Sequence, residues 1–200
     1  MTTSPPATGL DGLARAAKDA AGDASSKRGS PPVHLWNPPF CGDIDMRIAA
    51  DGTWHYMRSP IGRPALVKLF ASILRKDEDR YVLVTPVERV GIAVDDVPFL
   101  AVEMAVADAG GARALSFRTN VDDWTHAGAD HPIRFEAGAA EGLKPYVHVR
   151  AGLWARLTRS LFLDLVALGE VRAVDGNDMF GVTSAGAFFP MAKAEDIGAL

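Results

Sequence analysis

Cysteine is nearly missing: Cys41 is the single one in 200 residues. A lone thiol has no internal partner, so the chain has no disulfide scaffold of its own, and this usage fits a reducing compartment, the cytoplasm, better than a secreted protein. Long apolar runs are missing too. No uncharged stretch approaches the roughly 18 residues that a spanning helix needs, and the opening segment lacks the basic start, apolar run and cleavage site of a signal peptide. There is no GxxxxGK[ST] loop, no glycine fingerprint after a strand, no paired CxxC and no HExxH. The common nucleotide-hydrolase, dinucleotide and zinc readings therefore lack their motifs. A formal net charge of -4 offers nucleic acid no broad attraction.

What is present reads as a globular α+β chain. Hydrophobic residues make up 48% and charged residues 23% of the sequence, and the length suits one domain or two small ones. Residues 1–32 are rich in Ala, Gly, Ser, Thr and Pro and poor in large apolar groups, so the segment is expected to be mostly disordered, with a transient Ala-rich helix from Gly9 to Ala21 that has only Leu10 and Leu13 to bury.

From Val33 onward the apolar pattern organises the chain. Ile44, Met46 and Ile48 alternate with Asp43, Asp45 and Arg47, the period of a half-buried strand. Asp51-Gly52 predicts a type I′ hairpin turn, and Thr53 to Arg58 the returning strand. Pro64 then opens a helix whose stripe is Leu66, Leu69, Phe70, Ile73 and Leu74, with Arg75 and Lys76 at its negative end. Strands follow at Tyr81–Thr85 and around Val90, Ile92 and Val94. Leu100, Val102, Met104 and Val106 alternate, Gly110-Gly111 turns the chain, and Leu115, Phe117 and Thr119 return, which predicts a long antiparallel hairpin. Shorter segments surround Trp124 and Ile133–Phe135. Tyr146–Arg150 reads as a strand that feeds directly into a second helix, Leu153–Leu168, with Gly169 as its stop. Asp175-Gly176 marks a turn between the last segments, Met179–Thr183 and Ala187–Phe189.

Two stretches echo each other. Arg58, Leu69 and Phe70 recur as Arg150, Leu161 and Phe162, each 92 residues on, and Val84-Thr85 recurs as Val182-Thr183 at 98. Duplication of one structural unit explains the echo, as does chance matching of common residue types.

An ordered set of motifs goes further: Trp36-Asn37-Pro38-Pro39 with Cys41-Gly42-Asp43-Ile44, Asp51-Gly52-Thr53-Trp54, Pro60-Ile61-Gly62-Arg63, Leu83-Val84-Thr85-Pro86-Val87-Glu88 and Phe117-Arg118-Thr119-Asn120. Together, from about Val33 to Met191, they resemble the bacterial family of domain of unknown function 1285. The resemblance implies a duplicated core of two related halves, each a curved, mostly antiparallel sheet with one helix. The C-terminal half would be superficially similar to pleckstrin-homology folds. It also implies a ligand site of nucleotide-like type between the halves and a link to signal transduction. It carries no established activity, so no catalytic residue transfers. The expected organisation is a disordered segment 1–32, an N-terminal half 33–96 and a C-terminal half 97–195.

Arg58 and Arg150 each end a predicted strand just before a predicted helix, where free backbone N–H groups and the helix dipole favour an anion. With Arg63 and Arg156 they can clamp a phosphate or carboxylate, or they can be solvated or paired with nearby acids. Arg118 and Asn120 share a strand face, either to address a ligand or as a wet surface. Thr85 and Glu88 lie just past a buried strand, where Glu88 can accept from a sugar hydroxyl or neutralise an arginine. His148 alternates with Tyr146 and Arg150. Asp43, Asp45 and Arg47 form a charged ladder rather than a metal pair, His126 and His131 flank Asp130 without a metal-site spacing, and Cys41 reads as a packing residue.

The expectation is a binding module rather than an enzyme, without cofactor or metal, that holds a small anionic ligand, a nucleotide-like molecule included, in the crevice between its halves. Two alternatives stand beside it. One is a hydrolase of phosphate or acyl esters with Asp43, Asp45, Glu88 or a histidine as general base; the other is a scaffold for a protein partner.

Overall fold

A computed structural model describes residues 9–25, 31–139 and 142–197. Residues 1–8 and 26–30 of the segment predicted as disordered lie outside the described residues. The chain divides into two compact units, one ending at Pro98 and the other beginning at Phe99.

The N-terminal unit starts with helix α1, Leu10–Ser25. Its residues Leu13, Ala17 and Ala20 are buried, one helical stripe facing α2, Pro64–Ser72. The small alanines make this docking possible because they let two helix backbones approach closely. Counting only the leucines therefore underrates the stripe, and the part of the segment that is described is an ordered helix.

Strand β1, Phe40–Ile48, buries Met46 and Ile48 and exposes Asp43, Asp45 and Arg47, as its alternation predicts. The following turn differs from the expected type I′: Gly52 is left-handed at φ 80 while Asp51 is not. Gly52 N–H donates to Ala49 O and Ala49 N–H to Thr53 O, a type I turn closed by a glycine bulge. The return strand is short, β2, Trp54–Tyr56, and turns again at Met57-Arg58 into β3, Ser59–Pro60. Pro64 occupies the first turn of α2, where its missing N–H costs nothing. The helix ends at Ser72, and Arg75 and Lys76 lie on β4, Leu74–Asp77, rather than at a helix end. β5, Arg80–Val84, and β6, Arg89–Val94, complete a meander. The sheet order is β3-β2-β1-β6-β5-β4, antiparallel throughout except for β1 beside β6. Trp54 and Phe70, both fully buried, stack at 6.4 Å in its core.

The C-terminal unit opens with the predicted long hairpin, β7, Phe99–Ala109, and β8, Ala112–Thr119. Its alternation is broken at Val102. Ala101 pairs with Thr119 but Glu103 with Arg118, so the extra residue brings Met104 and Val106 opposite buried Phe117 and Leu115, although Val106 itself stays exposed. β9, Trp124–His126, β10, Ile133–Ala137, and β11, Leu143–Arg150, follow. The second helix begins later than its leucine spacing suggests: Ala151 and Gly152, at φ 43 and 76, make a two-residue turn into β12, Leu153–Leu157, and α3 spans only Arg159–Ala167. Gly169 caps nothing in a left-handed conformation. Its lack of a side chain makes room for the Phe180 ring, which a Cβ would meet at 2.1 Å. A six-stranded sheet runs β10-β11-β12-β7-β8-β9, and β13, Glu170–Val174, β14, Asn177–Ser184, and β15, Ala187–Lys193, form a second sheet. The short α4, Ala194–Ile197, closes the chain's described part. Buried Ser184 ties the two sheets, accepting from Leu115 N–H and donating to Ala127 O.

The two units are built alike. Each contains three strands, a helix and three strands, β1-β2-β3-α2-β4-β5-β6 in the first and β10-β11-β12-α3-β13-β14-β15 in the second. Their correspondence is not the offset of 92. Met57-Arg58 matches the turn Ala151-Gly152, 94 residues on, and α2 matches α3 at 95, which superposes buried Leu66 and Phe70 on buried Leu161 and Leu165. Arg58 and Arg150 are therefore not equivalent positions.

Candidate functional site

Neither arginine of the predicted clamp precedes a helix. Arg58 is exposed in the left-handed turn between β2 and β3, at φ 63. Arg63, also exposed, flanks the start of α2 at 4.0 Å from Asp11 of α1. Thr85 is buried, and its hydroxyl accepts from Val87 and Glu88 N–H while donating to Glu88 O. This turn between β5 and β6 is fixed by Thr85, whose hydrogen bonds are used internally. Glu88 is half-buried at the turn's end.

In the C-terminal unit Arg118 is held between two acids, donating to Glu103 at 2.7 Å and to Asp122 at 2.8 Å. These bonds raise the guanidinium above its already high range, Glu103 contributing most. Asn120 pins β7, its Oδ1 accepting from Leu100 N–H at 3.1 Å and its N–H donating to Leu100 O. The alternation of Tyr146, His148 and Arg150 fails at its last member. His148 pairs with Trp154, but Arg150 pairs with Leu153, so a bulge turns Arg150 to the core side. There it lies over Phe99 at 5.3 Å and pairs with Asp123.

His148 and Arg156 remain on the other face, with residues that sequence reasoning passed over. Tyr146 is opposite both Arg134 and Arg156, and His148 is opposite Trp154, so these side chains are cross-strand neighbours on one face of β10–β12. Val147, Leu153, Ala155 and Leu157 bury the reverse face. The Arg134 guanidinium lies 4.1 Å above the Trp154 ring and 5.2 Å from Tyr146. Arg134 also pairs with Glu136 at 3.2 Å. Lys144 is opposite Glu136 on the same face, which therefore carries the cations Arg134, Lys144 and Arg156 together.

His148 is fixed by its hydrogen bonds. Its Nε2 accepts from Gly152 N–H at 3.2 Å, which leaves the proton on Nδ1, 3.2 Å from Nδ1 of His131. The rings stack at 5.2 Å, and Trp154 meets His148 edge-on. Burial, then the neighbouring His131, lowers the pKa of His148 below 6.5, against a raising hydrogen bond to the Asp130 backbone. His126, on the other side of Asp130 in sequence, bonds Ser116. No group of three or more His, Cys, Asp or Glu suited to a metal occurs among the described residues.

The N-terminal unit holds a second feature that the charge pattern hid. A groove of about 850 Å³ is lined by Phe40, Arg75, Asp77, Arg80, Val82 and Arg89, among others. Asp77 accepts from Arg75 Nε at 2.5 Å and Arg89 Nη1 at 2.8 Å, and Arg75 Nη1 also donates to Val33 O and Trp36 O. The bonds from Arg75, foremost, hold the Asp77 carboxyl below its usual range. The sequence signal is the charged run Arg75–Arg80, whose first two residues the helix pattern assigns to a helix end but which lie on β4.

Comparison with known proteins places this architecture. The N-terminal domain of the DUF1285 family of unknown function matches residues 31–97, and its C-terminal domain matches residues 98–191. The crystal structure of a DUF1285 family protein from Silicibacter pomeroyi DSS-3 is 51% identical, covering 96% of this chain and 99% of its own, with a TM-score of 0.85. A DUF1285 family protein from Shewanella baltica OS155 is 28% identical over 62% of this chain and 91% of its own, with a TM-score of 0.50. Among curated proteins none matches. No helix among the described residues is long and apolar enough to cross a membrane.

Proposed function

We propose that this chain, which belongs to the DUF1285 family, is a binding module for a small anionic ligand, which it meets on the face of β10–β12 that carries His148 and Arg156. The observation that supports the reading is the grouping of Arg134, Arg156, His148 and Trp154 on one sheet face, with Tyr146 between the arginines. Guanidinium groups give bidentate, charge-assisted bonds to phosphate or carboxylate, and flat rings beside them favour a ligand that has a planar part, as a nucleotide does. The neutral His148 ring, its nitrogens already bonded to Gly152 and His131, adds a flat surface beside Trp154. Reversible binding without a chemical step suits a signalling role, and a lone unpaired cysteine suits the cytoplasm.

The test is a thermal-shift and calorimetry panel of nucleoside mono-, di- and triphosphates, cyclic nucleotides, acyl phosphates and phosphoinositides. One class is expected to bind, and Arg156→Ala and Arg134→Ala each to weaken it about tenfold or more, the effect of losing a charged hydrogen bond. A panel silent throughout, or binding unchanged in both variants, refutes the reading. Turnover of a bound phosphate or acyl ester would turn the assignment to a hydrolase.

A further inference from the structure

The groove of the N-terminal unit is built for a ligand of another kind. Strand register places its side chains together: Phe40 of β1 is beside Arg89 of β6, and Asp77 of β4 is opposite Arg80 of β5. Phe40 is 42% exposed, and its ring centroid is 5.0 Å from the Arg80 guanidinium and 5.9 Å from that of Arg89. Both arginines are only partly used. Arg80 donates through Nη1 to Asp43, Arg89 through Nη1 to Asp77, and Arg89 Nε is buried without a partner. Gly91 makes room for the Asp43 carboxylate that holds Arg80, since a Cβ there would meet Asp43 Oδ1 at 1.9 Å. Glu78 and Asp79, at the turn between β4 and β5, also line the groove with exposed carboxylates that enter no ion pair among the described residues.

Asp77 pairs with Arg75 and takes one N–H of Arg89, and Asp43 takes one N–H of Arg80, which leaves the other N–H groups of Arg80 and Arg89 and the carboxylates of Glu78 and Asp79 along one groove with an apolar ring. A phosphate chain is poorly served here, because the carboxylates would repel it. A molecule with one positive and one negative end satisfies both sides at once. We propose that this groove binds a small zwitterion, a free amino acid or dipeptide, with its carboxylate on Arg80 and Arg89, its ammonium on Glu78 and Asp79, and its apolar part against Phe40. The site is separate from the anion-binding face of β10–β12, and neither depends on the other.

Calorimetry and thermal shift on the full chain, with the common protein amino acids and simple dipeptides as probes, test the assignment. At least one probe is expected to bind, and its N-acetyl and its amide derivatives to bind roughly tenfold more weakly or worse, since each loses one charged contact. Arg80→Ala, and Glu78→Gln with Asp79→Asn, alter exposed side chains and should weaken binding comparably without changing the circular dichroism, whereas Arg156→Ala should leave it unchanged. No binding of any probe at millimolar concentration overturns the proposal. So does binding that survives acetylation and amidation, or that survives Arg80→Ala.

Discussion

Gly181 offers the sharpest test of the C-terminal packing. It is a buried strand residue of β14 at an irregularity in the β14–β15 ladder, between the pairs Phe180–Ala192 and Gly181–Pro190. An added Cβ would lie 2.3 Å from Phe189 O, 2.7 Å from Phe188 Cζ and 2.9 Å from Pro190 Cα. The Phe188 ring can rotate away, but the carbonyl and the Cα belong to the backbone of the neighbouring strand. Bringing the first contact to the 3.0 Å below which real Cβ atoms do not approach requires the strands to part by about 0.7 Å. Overpacking of this kind costs about 1–3 kcal/mol, and a ladder hydrogen bond stretched beyond reach adds about 1 kcal/mol. Against this, alanine stiffens the unfolded chain by about 0.4–1 kcal/mol. Gly181→Ala should therefore destabilise the C-terminal unit by roughly 2–3 kcal/mol, a melting-point drop on the order of 10 °C for about 100 residues. Urea unfolding followed by tryptophan fluorescence measures it. Gly62→Ala, with nothing within 4 Å and no left-handed backbone, is the control and should be stabilising by about 0.4–1 kcal/mol. A loss below about 0.5 kcal/mol in Gly181→Ala refutes the close approach of β14 and β15.

Other expectations follow from the ionisable groups. Asp77 has a depressed pKa in the fold, so its contribution is present above the unfolded carboxyl value and disappears as pH falls through the folded one. Asp77→Asn should cost about 1–3 kcal/mol at pH 7, because it strips Arg75 and Arg89 of their acceptor, and the gap to wild type in urea titrations should close below about pH 4; a pH-independent gap would contradict the pairing. His148 is held neutral, its folded pKa below 6.5, so stability is present above that unfolded value and is lost as pH falls through the folded one. Proton NMR should show the depressed titration, and His131→Gln should move it upward; an unmoved His148 would mean that the ring pair exerts no mutual effect.

Strands were legible wherever one face is buried, because period two survives in Ile44-Met46-Ile48 and Leu115-Phe117-Thr119. The second helix was not. Leu153, Leu157, Leu161 and Leu165 recur every fourth residue, which a helix and a strand followed by a helix satisfy equally. The turn that separates strand from strand is Ala151-Gly152, without the asparagine or aspartate that marks such turns. α2 misled in the opposite way: Ile73 and Leu74 extend its stripe in number but are buried from β4 and the helix end. α1 was underrated because alanine contributes little area alone, and its value as a spacer depends on a partner helix that the local sequence does not reveal.

Site residues were harder because their faces depend on register. The types of residue in the chain announce arginines and histidines, but a single inserted residue changes which surface they address. The bulge after His148 sends Arg150 to Asp123 and Phe99 while leaving His148 beside Trp154. Arg118 keeps its predicted strand, and there Glu103 across the hairpin and Asp122 beyond it pair with its charge. The reverse happens at Phe40, Arg80 and Arg89, which lie on three strands and as much as 49 residues apart in sequence; only the parallel pairing of β1 with β6 makes them neighbours. A charged side chain is thus committed to structure or left available by the acid that register places opposite it. In this chain, Arg80 and Arg89 line their groove from strands that meet at Gly91, where the missing side chain makes room for the Asp43 carboxylate that Arg80 binds.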